Sequence, residues 1–263
     1  MKKFLVIGNP IEHSLSPKLH NYWIKSNNLK AVYDKKKLDV SELDNLIKEV
    51  REKKIDGINV TVPFKNSVIP FLDKLSNEAQ KTQSVNTIYL KDGMVIGHNT
   101  DIEGFELAIK HTNYDIDGKK VFILGAGGVS PSIILALNNL NVKKILISNR
   151  THSKAENLKK IFNEIEIIKW GTFTDFDMIV NATSLGLKED ENIDLDYSKI
   201  GSEKFFYDVI YNPSETNFLR SAKKNGNKIE NGKRMFIYQA QASFKIWNNL
   251  EPKVDNKVME LLN

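Results

Sequence analysis

The sequence predicts an α/β protein with two domains, each built around its own β-sheet. The first observation is a strand-loop-helix-strand unit near the middle of the chain, in which the apolar run at 120–124 precedes a glycine cluster, an apolar helical pattern at 133–140 and a second apolar run at 144–147. The second is that short β-branched runs and helical patterns continue to alternate after this unit, which is typical of a parallel sheet. The third is length, because 263 residues most simply form two domains of roughly 100–150 residues each.

The glycine cluster predicts a dinucleotide site. Gly125-Ala126-Gly127-Gly128-Val129 connects the first strand to the helix. Glycines let the main chain approach a pyrophosphate, and the N-terminal end of the following helix stabilises its negative charge. Pro131 supports this register because proline fits the first turn of a helix. The spacing departs from a strict G-x-G-x-x-G pattern, so an ordinary loop is the alternative.

The end of the second strand in this unit favours NADP over NAD. NAD sites usually carry Asp or Glu about 20 residues beyond the glycines, where it holds the ribose hydroxyls. This chain has Asn149-Arg150-Thr151 there, with Lys154 close behind. A guanidinium, an ammonium and a hydroxyl suit a 2′-phosphate. The alternative is a solvated basic turn, since the chain is rich in lysine.

Polar residues interrupt the apolar runs of the first domain. Ser14 and Ser16 follow the first strand and precede a helix expected over about 18–27, so they either cap that helix or bind a carboxylate. Asn59 and Thr61 alternate with apolar residues, and a strand would point both to one face. Lys65 follows directly after this strand, as either a surface lysine or an ammonium beside the two polar groups.

A hairpin is predicted next, with its turn at 91–93. Asn86 lies in its first strand and Asp101 ends its second. Polar side chains among β-branched neighbours cost free energy unless they meet a partner or a ligand. Asp101 alternatively caps the helix expected over 102–111, just as Ser41 is expected to cap a helix over 41–53.

The second domain should continue with strands near 165–170, 177–180 and 205–210. In a parallel sheet, ligands bind at the carboxyl ends of the strands. The segments Asn181-Ala-Thr183-Ser184 and Asp208-Val209-Ile-Tyr211 occupy two of those ends. Two last helices, expected over 235–249 and 253–262, should return to the first domain.

Charge and composition exclude several classes of protein. The net charge of +5 comes mainly from lysine, and its clusters lack interleaved aromatic residues, which favours solvated surface over a nucleic-acid groove. With no cysteine, disulfides and thiolate metal sites are excluded, which fits a reducing cytoplasm. The five histidines show no ligand spacing, so no metal is expected. No apolar run approaches the roughly 18 residues of a membrane span.

Together these motifs resemble the shikimate dehydrogenase family over nearly the whole chain. Their order and spacing carry the resemblance, since each motif alone is short. The motifs are Ser14-Leu-Ser16-Pro17, Asn59-Val-Thr61-Val-Pro-Phe-Lys65, Val85-Asn86-Thr87, Gly97-His-Asn-Thr100-Asp101, Gly125-Ala-Gly-Gly128, Asn149-Arg150-Thr151, Asn181-Ala-Thr183-Ser184, Tyr207-Asp-Val209-Ile-Tyr211-Asn-Pro and Met235-Phe-Ile-Tyr238-Gln239-Ala.

The resemblance implies NADP-dependent reduction of 3-dehydroshikimate to shikimate by a cytoplasmic monomer or homodimer. It implies a substrate domain over 1–101, a Rossmann-like, doubly wound NADP domain over 102–231, and C-terminal helices over 232–263 that pack on the first domain. Lys65 and Asp101 would form the catalytic pair. The implied substrate-binding residues are Ser14, Ser16, Asn59, Thr61, Asn86, Tyr211 and Gln239. The implied cofactor-binding residues are Gly125, Ala126, Gly127, Gly128, Val129, Asn149, Arg150, Thr151, Lys154, Thr183, Val209 and Gly232.

Three positions depart from the family pattern. Gln83-Ser84 replaces its usual Gly-Ala, Arg234 stands where a glycine is expected, and Lys154 stands where arginine is frequent. Two other functions remain open on the sequence. One is a relative that oxidises quinate or an aminoshikimate with NAD, and the other is a non-catalytic metabolite sensor on the same fold.

Overall fold

The computed structural model describes residues 1–172, 174–188 and 190–262. It divides into two compact units, unit 1 with residues 1–104 and those from 237 onward, and unit 2 with residues 105–236. The strands are β1 (Lys2–Gly8), β2 (Ala31–Lys37), β3 (Gly57–Val60), β4 (Lys74–Leu75), β5 (Thr87–Lys91), β6 (Met94–His98), β7 (Lys120–Leu124), β8 (Lys144–Ser148), β9 (Glu166–Ile167), β10 (Met178–Asn181), β11 (Phe205–Asp208) and β12 (Lys228–Glu230). The α-helices are α1 (Ser16–Ser26), α2 (Leu43–Arg51), α3 (Phe64–Ser67), α4 (Asn77–Thr82), α5 (Asp101–His111), α6 (Ser130–Asn139), α7 (His152–Ile161), α8 (Tyr197–Ile200), α9 (Asn217–Lys224), α10 (Lys233–Asn248) and α11 (Asn256–Leu261).

Unit 1 contains a mixed sheet with the strand order β2-β1-β3-β5-β6-β4. The strands β1, β2 and β3 are parallel, whereas β5 runs antiparallel to both β3 and β6. Helix α2 packs on this sheet through Leu43, Leu46, Ile47 and Val50, whose spacing puts one apolar stripe on the helix. Because β5 is antiparallel to β3 and β6, it begins at the end of the sheet where those two strands end.

The C-terminal helices, from Ile237 of α10 onward, belong to unit 1, as predicted. The indole N–H of Trp247 on α10 donates to the Ile88 carbonyl at 3.1 Å, and its ring stacks on Phe4 with centroids 4.9 Å apart. A side chain at Gly57 would place its Cβ 2.3 Å from the Trp247 indole, so β3 needs glycine there. The indole of Trp23 on α1 likewise donates to the carbonyl of Lys253.

Unit 2 contains a six-stranded sheet with the order β12-β11-β10-β7-β8-β9, in which every pair is parallel. When β7 is numbered as strand 1 and the sheet is read from β9, this is the 3-2-1-4-5-6 order of a Rossmann-type sheet. Its switch point lies between β7 and β10. Buried Phe122, Ile179 and Phe206 from three of the strands share one core cluster with Leu219 of α9. The predicted α/β class with a doubly wound parallel sheet is confirmed.

Several element predictions were wrong in detail. Ser41 does not cap α2, because a 3₁₀ turn over Val40–Glu42 precedes it, and the main-chain N–H of Asp39 donates to the Glu42 carboxylate at 2.8 Å. The strand expected over 165–170 shortens to β9, and β12 was not predicted. The boundaries between the two units lie inside α5 and α10.

Within the described ranges, no helix combines the length and apolar composition that crossing a membrane requires. The same part of the chain holds no group of three or more His, Asp or Glu side chains arranged to bind a metal ion.

Candidate active site

The polar residues of unit 1 converge because of the sheet topology. Asn59 lies in β3, Asn86 immediately precedes β5, and Asp101 begins α5 shortly after β6. Since β5 is antiparallel to its two neighbours, its start meets the ends of both. Lys65 lies on the short helix α3 that follows β3. One sheet edge thus collects four side chains that are distant in sequence.

Lys65 and Asp101 form a buried ion pair. The ammonium Nζ of Lys65 lies 2.5 Å from Oδ2 of Asp101, and the two side chains are 11% and 8% exposed. Asp101 is also the first residue of α5. A buried ammonium needs an opposite charge or hydrogen-bond acceptors. The pairing supplies a proton donor held in a defined place.

The second carboxylate oxygen of Asp101 accepts from Asn86. Asn86 Nδ2 lies 2.8 Å from Asp101 Oδ1, and it also donates to Thr100 Oγ1 at 2.9 Å. The main-chain N–H of Thr100 donates to Asn86 Oδ1 at 2.8 Å. Because a main-chain N–H can only donate, this contact identifies the oxygen of the amide and turns its NH₂ group toward Asp101.

Other predicted substrate residues differ in how much of their polar surface is already occupied. Asn59 Oδ1 accepts from Tyr33 at 2.7 Å, while its Nδ2 donates within unit 1 to the Asn86 carbonyl at 3.1 Å. Gln239 on α10 brings Oε1 to 3.5 Å from Asn86 Nδ2. Thr61 is half-buried just beyond β3, and its carbonyl accepts from the N–H of Phe64 at 2.9 Å. Asn59, Asn86 and Gln239 therefore lie together.

The two predicted serines lie at the start of α1. Neither provides its N-cap, which is Leu15 and has no side-chain hydrogen bond, so the capping alternative is wrong. Ser14 Oγ makes a long contact of 3.4 Å with the N–H of Ser16. Ser16 is buried and hydrogen-bonds to the hydroxyl of Tyr33. Burial raises the pKa of Tyr33 well above its usual range, although the hydrogen bond from Ser16 acts to lower it. Tyr33 thus links Ser16 to Asn59.

In unit 2, the glycine loop follows β7 at the switch point of the sheet. Gly125 has φ +108°, and a Cβ there would lie 2.8 Å from the carbonyl oxygen of Ala182, so only glycine fits without strain. At Gly127 the nearest atom to such a Cβ is 3.9 Å away. Ser130 closes the loop by donating to the Gly125 carbonyl at 2.9 Å and accepting from the Gly127 N–H at 3.1 Å. The loop leaves open space above Gly127 at the positive end of α6.

The predicted 2′-phosphate residues lie in the turn between β8 and α7. Asn149 joins this turn to the glycine loop, because its Oδ1 accepts from the N–H of Ala126 at 2.9 Å and its Nδ2 donates to the Thr151 carbonyl at 2.8 Å. Arg150, Thr151 and Lys154 are exposed. Two segments predicted for one cofactor are therefore physically tied.

A buried hydrogen-bond chain connects the ends of β10 and β11. Thr183 donates to Asn181 Oδ1 at 2.7 Å, and Asn181 Nδ2 donates to Asp208 Oδ1 at 3.0 Å. Asp208 also accepts from the N–H of Ile210 and from the hydroxyl of Thr216. Burial raises the pKa of Asp208 to about 6 despite these hydrogen bonds. This chain holds Thr183, and the main-chain N–H of Val209 donates to the Asn181 carbonyl at 3.0 Å.

Gly232 and Tyr211 also have defined surroundings in unit 2. A Cβ at Gly232 would lie 2.0 Å from the Val209 carbonyl oxygen, and the Gly232 N–H donates to the Ile210 carbonyl at 3.1 Å. Tyr211 stacks on Phe236 with ring centroids 4.6 Å apart. Burial raises the pKa of Tyr211 to about 12, so its hydroxyl stays a donor at neutral pH.

Two departures from the family pattern have a structural account. Gln83 ends α4 with φ +50° and ψ +38°, the left-handed conformation that glycine adopts most easily. Its side chain donates to the Gln80 carbonyl at 2.7 Å, which offsets part of the strain. Arg234 makes an ion pair with Glu230, with Nε and Oε1 3.6 Å apart. Lys154, the third departure, is exposed on α7 and has no such account.

Sequence reasoning missed four buried hydroxyl groups that surround Asn59 and Asn86. They belong to Tyr33, Thr87, Thr100 and Ser243, all fully buried. Thr87 and Thr100 stand beside Asn86 and Asp101 in the quoted motifs, so those motifs held a signal. Tyr33 and Ser243 lie far away in sequence and carried none.

Two family models match a large part of the chain. The shikimate dehydrogenase substrate binding domain matches residues 6–88, and the shikimate / quinate 5-dehydrogenase model matches residues 106–187. A shikimate dehydrogenase (NADP(+)) of Pelagibacter ubique strain HTCC1062 is 60% identical over 262 residues, covering 100% of this chain and 99% of the relative.

Two solved structures share the whole fold. A crystal structure of shikimate dehydrogenase in complex with NADP+ has a TM-score of 0.92 and 33% identity, covering 100% of this chain and 96% of that one. Shikimate 5-dehydrogenase from Listeria monocytogenes, in complex with shikimate and NAD, has a TM-score of 0.90 and 31% identity with the same two coverages.

A Rossmann-type sheet with a glycine loop at its switch point puts the chain among the dinucleotide-binding α/β proteins. The full-length identity of 60% and the two matching domain models identify it further. The chain belongs to the shikimate dehydrogenase family, and the resemblance predicted from its motifs is confirmed.

Proposed function

We propose that this chain catalyses the reversible, NADP-dependent reduction of 3-dehydroshikimate to shikimate. The observation that carries the proposal is the buried ion pair of Lys65 with Asp101, 2.5 Å apart, with the Asn86 amide on the second carboxylate oxygen. The full-length relative is named an NADP(+) shikimate dehydrogenase and one of the two solved structures holds NADP+, which supports the cofactor. The Listeria structure holds shikimate, together with NAD, which supports the substrate.

The glycine loop fits a dinucleotide. The left-handed Gly125 and the open space at Gly127 allow a pyrophosphate to approach the main chain, and the positive end of α6 favours its charge. Ala126, Gly128 and Val129 complete the loop, and Thr183, Val209 and Gly232 are assigned to the cofactor from the resemblance. Exposed Arg150, Thr151 and Lys154, with Asn149 at the loop, would bind the 2′-phosphate. When bound, NADPH would supply the hydride for the reduction, and NADP+ would accept it in the reverse direction.

In the reduction, Lys65 is the proposed proton donor. Hydride addition to a ketone builds negative charge on its oxygen, and a donor at that oxygen both stabilises the charge and delivers a proton. Asp101 holds the Lys65 ammonium in place and shares its proton. In the reverse direction the same pair would remove the hydroxyl proton.

The remaining polar residues would orient the substrate. Asn86 and Gln239, with Asn59 and Thr61, would bond its ring hydroxyls. Ser14, Ser16 and Tyr211 would bind its carboxylate, which suits three hydroxyl donors. These roles come from the resemblance, and the clustering of Asn59, Asn86 and Gln239 supports the first of them.

Turnover with matched pairs of substrate and cofactor tests the proposal. Purified protein should produce reduced cofactor fastest from shikimate with NADP, when compared with shikimate plus NAD, quinate plus NADP and quinate plus NAD. Arg150 is the residue that favours NADP, since NAD lacks the 2′-phosphate. Faster turnover of quinate with NAD would establish the rival activity. No turnover with any pair, but binding of shikimate, would establish a metabolite sensor.

The cytoplasmic location and the state as monomer or homodimer remain predictions. A nucleic-acid partner is not expected, and tight, steeply salt-dependent retention on RNA would contradict that.

A further inference from the structure

We propose that Thr87 and Ser243 are positioning residues whose hydroxyls form a relay that holds the Asn86 amide with its NH₂ group toward Asp101. The inference rests on the proposed function, because it concerns how the substrate-binding Asn86 is oriented. Thr87 begins β5 and Ser243 lies on α10, and both side chains are completely buried.

The contacts of the two hydroxyls form a connected path. Ser243 Oγ and Thr87 Oγ1 are 2.8 Å apart, and Thr87 Oγ1 is 2.9 Å from Asn86 Oδ1. Asn59 Nδ2 donates to Ser243 Oγ at 3.0 Å. The Ser243 hydroxyl also lies 3.0 Å from the Gln239 carbonyl of the preceding helical turn.

The direction of each hydrogen bond follows from which atoms can donate. Asn86 Oδ1 is an amide oxygen and only accepts, so the Thr87 hydrogen is directed to Asn86. The single hydroxyl hydrogen of Ser243 has two acceptors within reach, the Gln239 carbonyl at 3.0 Å and the Thr87 hydroxyl at 2.8 Å. Ser243 in turn accepts from Asn59, whose Oδ1 accepts from Tyr33. Hydrogen bonds therefore connect Tyr33 with Asn86 through Asn59, Ser243 and Thr87, and such networks strengthen their members.

The relay fixes the orientation of Asn86. Its Oδ1 accepts from the Thr100 N–H at 2.8 Å and from the Thr87 hydroxyl at 2.9 Å, and the Thr100 hydroxyl makes a longer contact with it at 3.1 Å. A rotated amide would point its NH₂ group at these two donors. The NH₂ group is thus left for Asp101, at 2.8 Å, and for Thr100, at 2.9 Å. From α10, Gln239 Oε1 also approaches this NH₂ group, at 3.5 Å.

Replacing Thr87 tests the relay, because Thr87→Val keeps the shape of the side chain and removes its hydroxyl, whereas Thr87→Ser keeps the hydroxyl. We expect Thr87→Val to raise the KM for shikimate roughly 5-fold, the worth of about one neutral hydrogen bond, and Thr87→Ser to stay within about 2-fold of wild type. The KM for NADP should not change.

Ser243→Ala should raise the KM for shikimate by a similar factor. The double variant Thr87→Val/Ser243→Ala should have about the same KM for shikimate as either single variant, because both substitutions interrupt one path.

General damage to the fold would have a different signature, since it lowers the apparent kcat without raising one KM. Thr112→Val is the matched control: its hydroxyl donates to the Ile109 carbonyl at 2.7 Å in unit 2, outside the site. It should leave both KM values unchanged. An unchanged KM for shikimate in Thr87→Val and Ser243→Ala, or an equal rise in Thr87→Ser, would overturn the relay while the proposed function stands. If Thr87→Val does not fold, Ser243→Ala and Thr87→Ser test the same path by the same two KM values. Failure of the wild type to bind or turn over shikimate would overturn both.

Discussion

At the scale of single residues, the candidate site consists of polar side chains that are buried together with their hydrogen-bond partners. Polar residues inside apolar runs identified Asn59, Asn86 and Asp101, because such residues are costly without partners. Which partner each one takes depends on strands that meet only in the folded chain. Asn59 illustrates the limit, since its amide hydrogen-bonds to Tyr33 and Ser243, which no local pattern connects to it.

His20 shows a further effect that only the folded structure reveals. Its ring is 1% exposed, stacks on Tyr33 at 4.2 Å, and leaves both nitrogens without a hydrogen-bond partner among the described residues. Burial lowers the pKa of His20 to about 3. The imidazole therefore stays neutral in the folded chain.

We predict that His20 makes unit 1 sensitive to acid. The unfolded imidazole binds a proton below its usual pKa of about 6.5, whereas the folded one binds it only near pH 3. His20 therefore does not lower the free energy of unfolding above about pH 6.5. Below that pH the free energy of unfolding falls as the pH decreases, by up to about 1.4 kcal/mol per pH unit. Urea unfolding between about pH 4 and pH 7 should show a shallower pH dependence for His20→Phe than for wild type. Parallel curves would contradict this.

At the scale of elements, the glycine loop between β7 and α6 followed most directly from the sequence. Pro131 lies in the first turn of α6, as predicted. The sequence did not predict that a Cβ would clash at Gly125 but fit at Gly127. The difference depends on the distance to Ala182, which follows β10 and adjoins the loop only in the folded sheet.

Alanine at two of these glycines should separate folding from cofactor binding. Gly125→Ala should lower stability by roughly 2 kcal/mol or more, because it combines a left-handed φ with a Cβ 2.8 Å from a carbonyl oxygen. Gly127→Ala has room for its Cβ, so its melting temperature should stay near wild type while its affinity for NADP falls. Thermal unfolding with and without NADP measures both. Equal destabilisation by the two substitutions would show that the loop geometry is wrong.

The turn before α7 should select the cofactor. Arg150→Ala removes an exposed guanidinium and should weaken NADP binding roughly 10-fold while leaving NAD binding unchanged, since only NADP has the 2′-phosphate. Lys160→Ala, at the far end of α7, removes the same charge and is the control. Calorimetric titration of each variant with both nucleotides provides the measurement. A similar loss for NAD, or in the control, would mean that the effect is general attraction of anions.

The element predictions that failed did so where local signals compete or are weak. Ser41 is a good capping residue, but Asp39 and Glu42 form the turn that leads into α2. The strand β12 is short and carries two charged residues, Lys228 and Glu230, so it had no apolar pattern to detect. It exists because its backbone pairs with β11.

At the scale of the molecule, the two-unit α/β organisation followed from length and from the alternation of strands with helices. The strand order of each sheet did not, since sequence patterns identify strands but not their neighbours. The return of the last helices to unit 1 was predicted, and Trp247 against Phe4 and Gly57 explains it physically. The association of the C-terminal segment with the first hundred residues also brings Gln239 and Ser243 to Asn86 and Asn59.

The central claim is that Lys65, paired with Asp101, transfers the proton during hydride transfer between shikimate and NADP. Its most direct test follows NADPH formation by wild type, Lys65→Ala and the control Lys54→Ala, an exposed lysine of unit 1, together with calorimetric binding of shikimate. We predict that Lys65→Ala lowers turnover by roughly 100-fold or more while shikimate still binds, and that Lys54→Ala behaves as wild type. Turnover by Lys65→Ala at the wild-type rate would contradict the account. A loss of shikimate binding by this variant, with its turnover at saturating shikimate unchanged, would also contradict it.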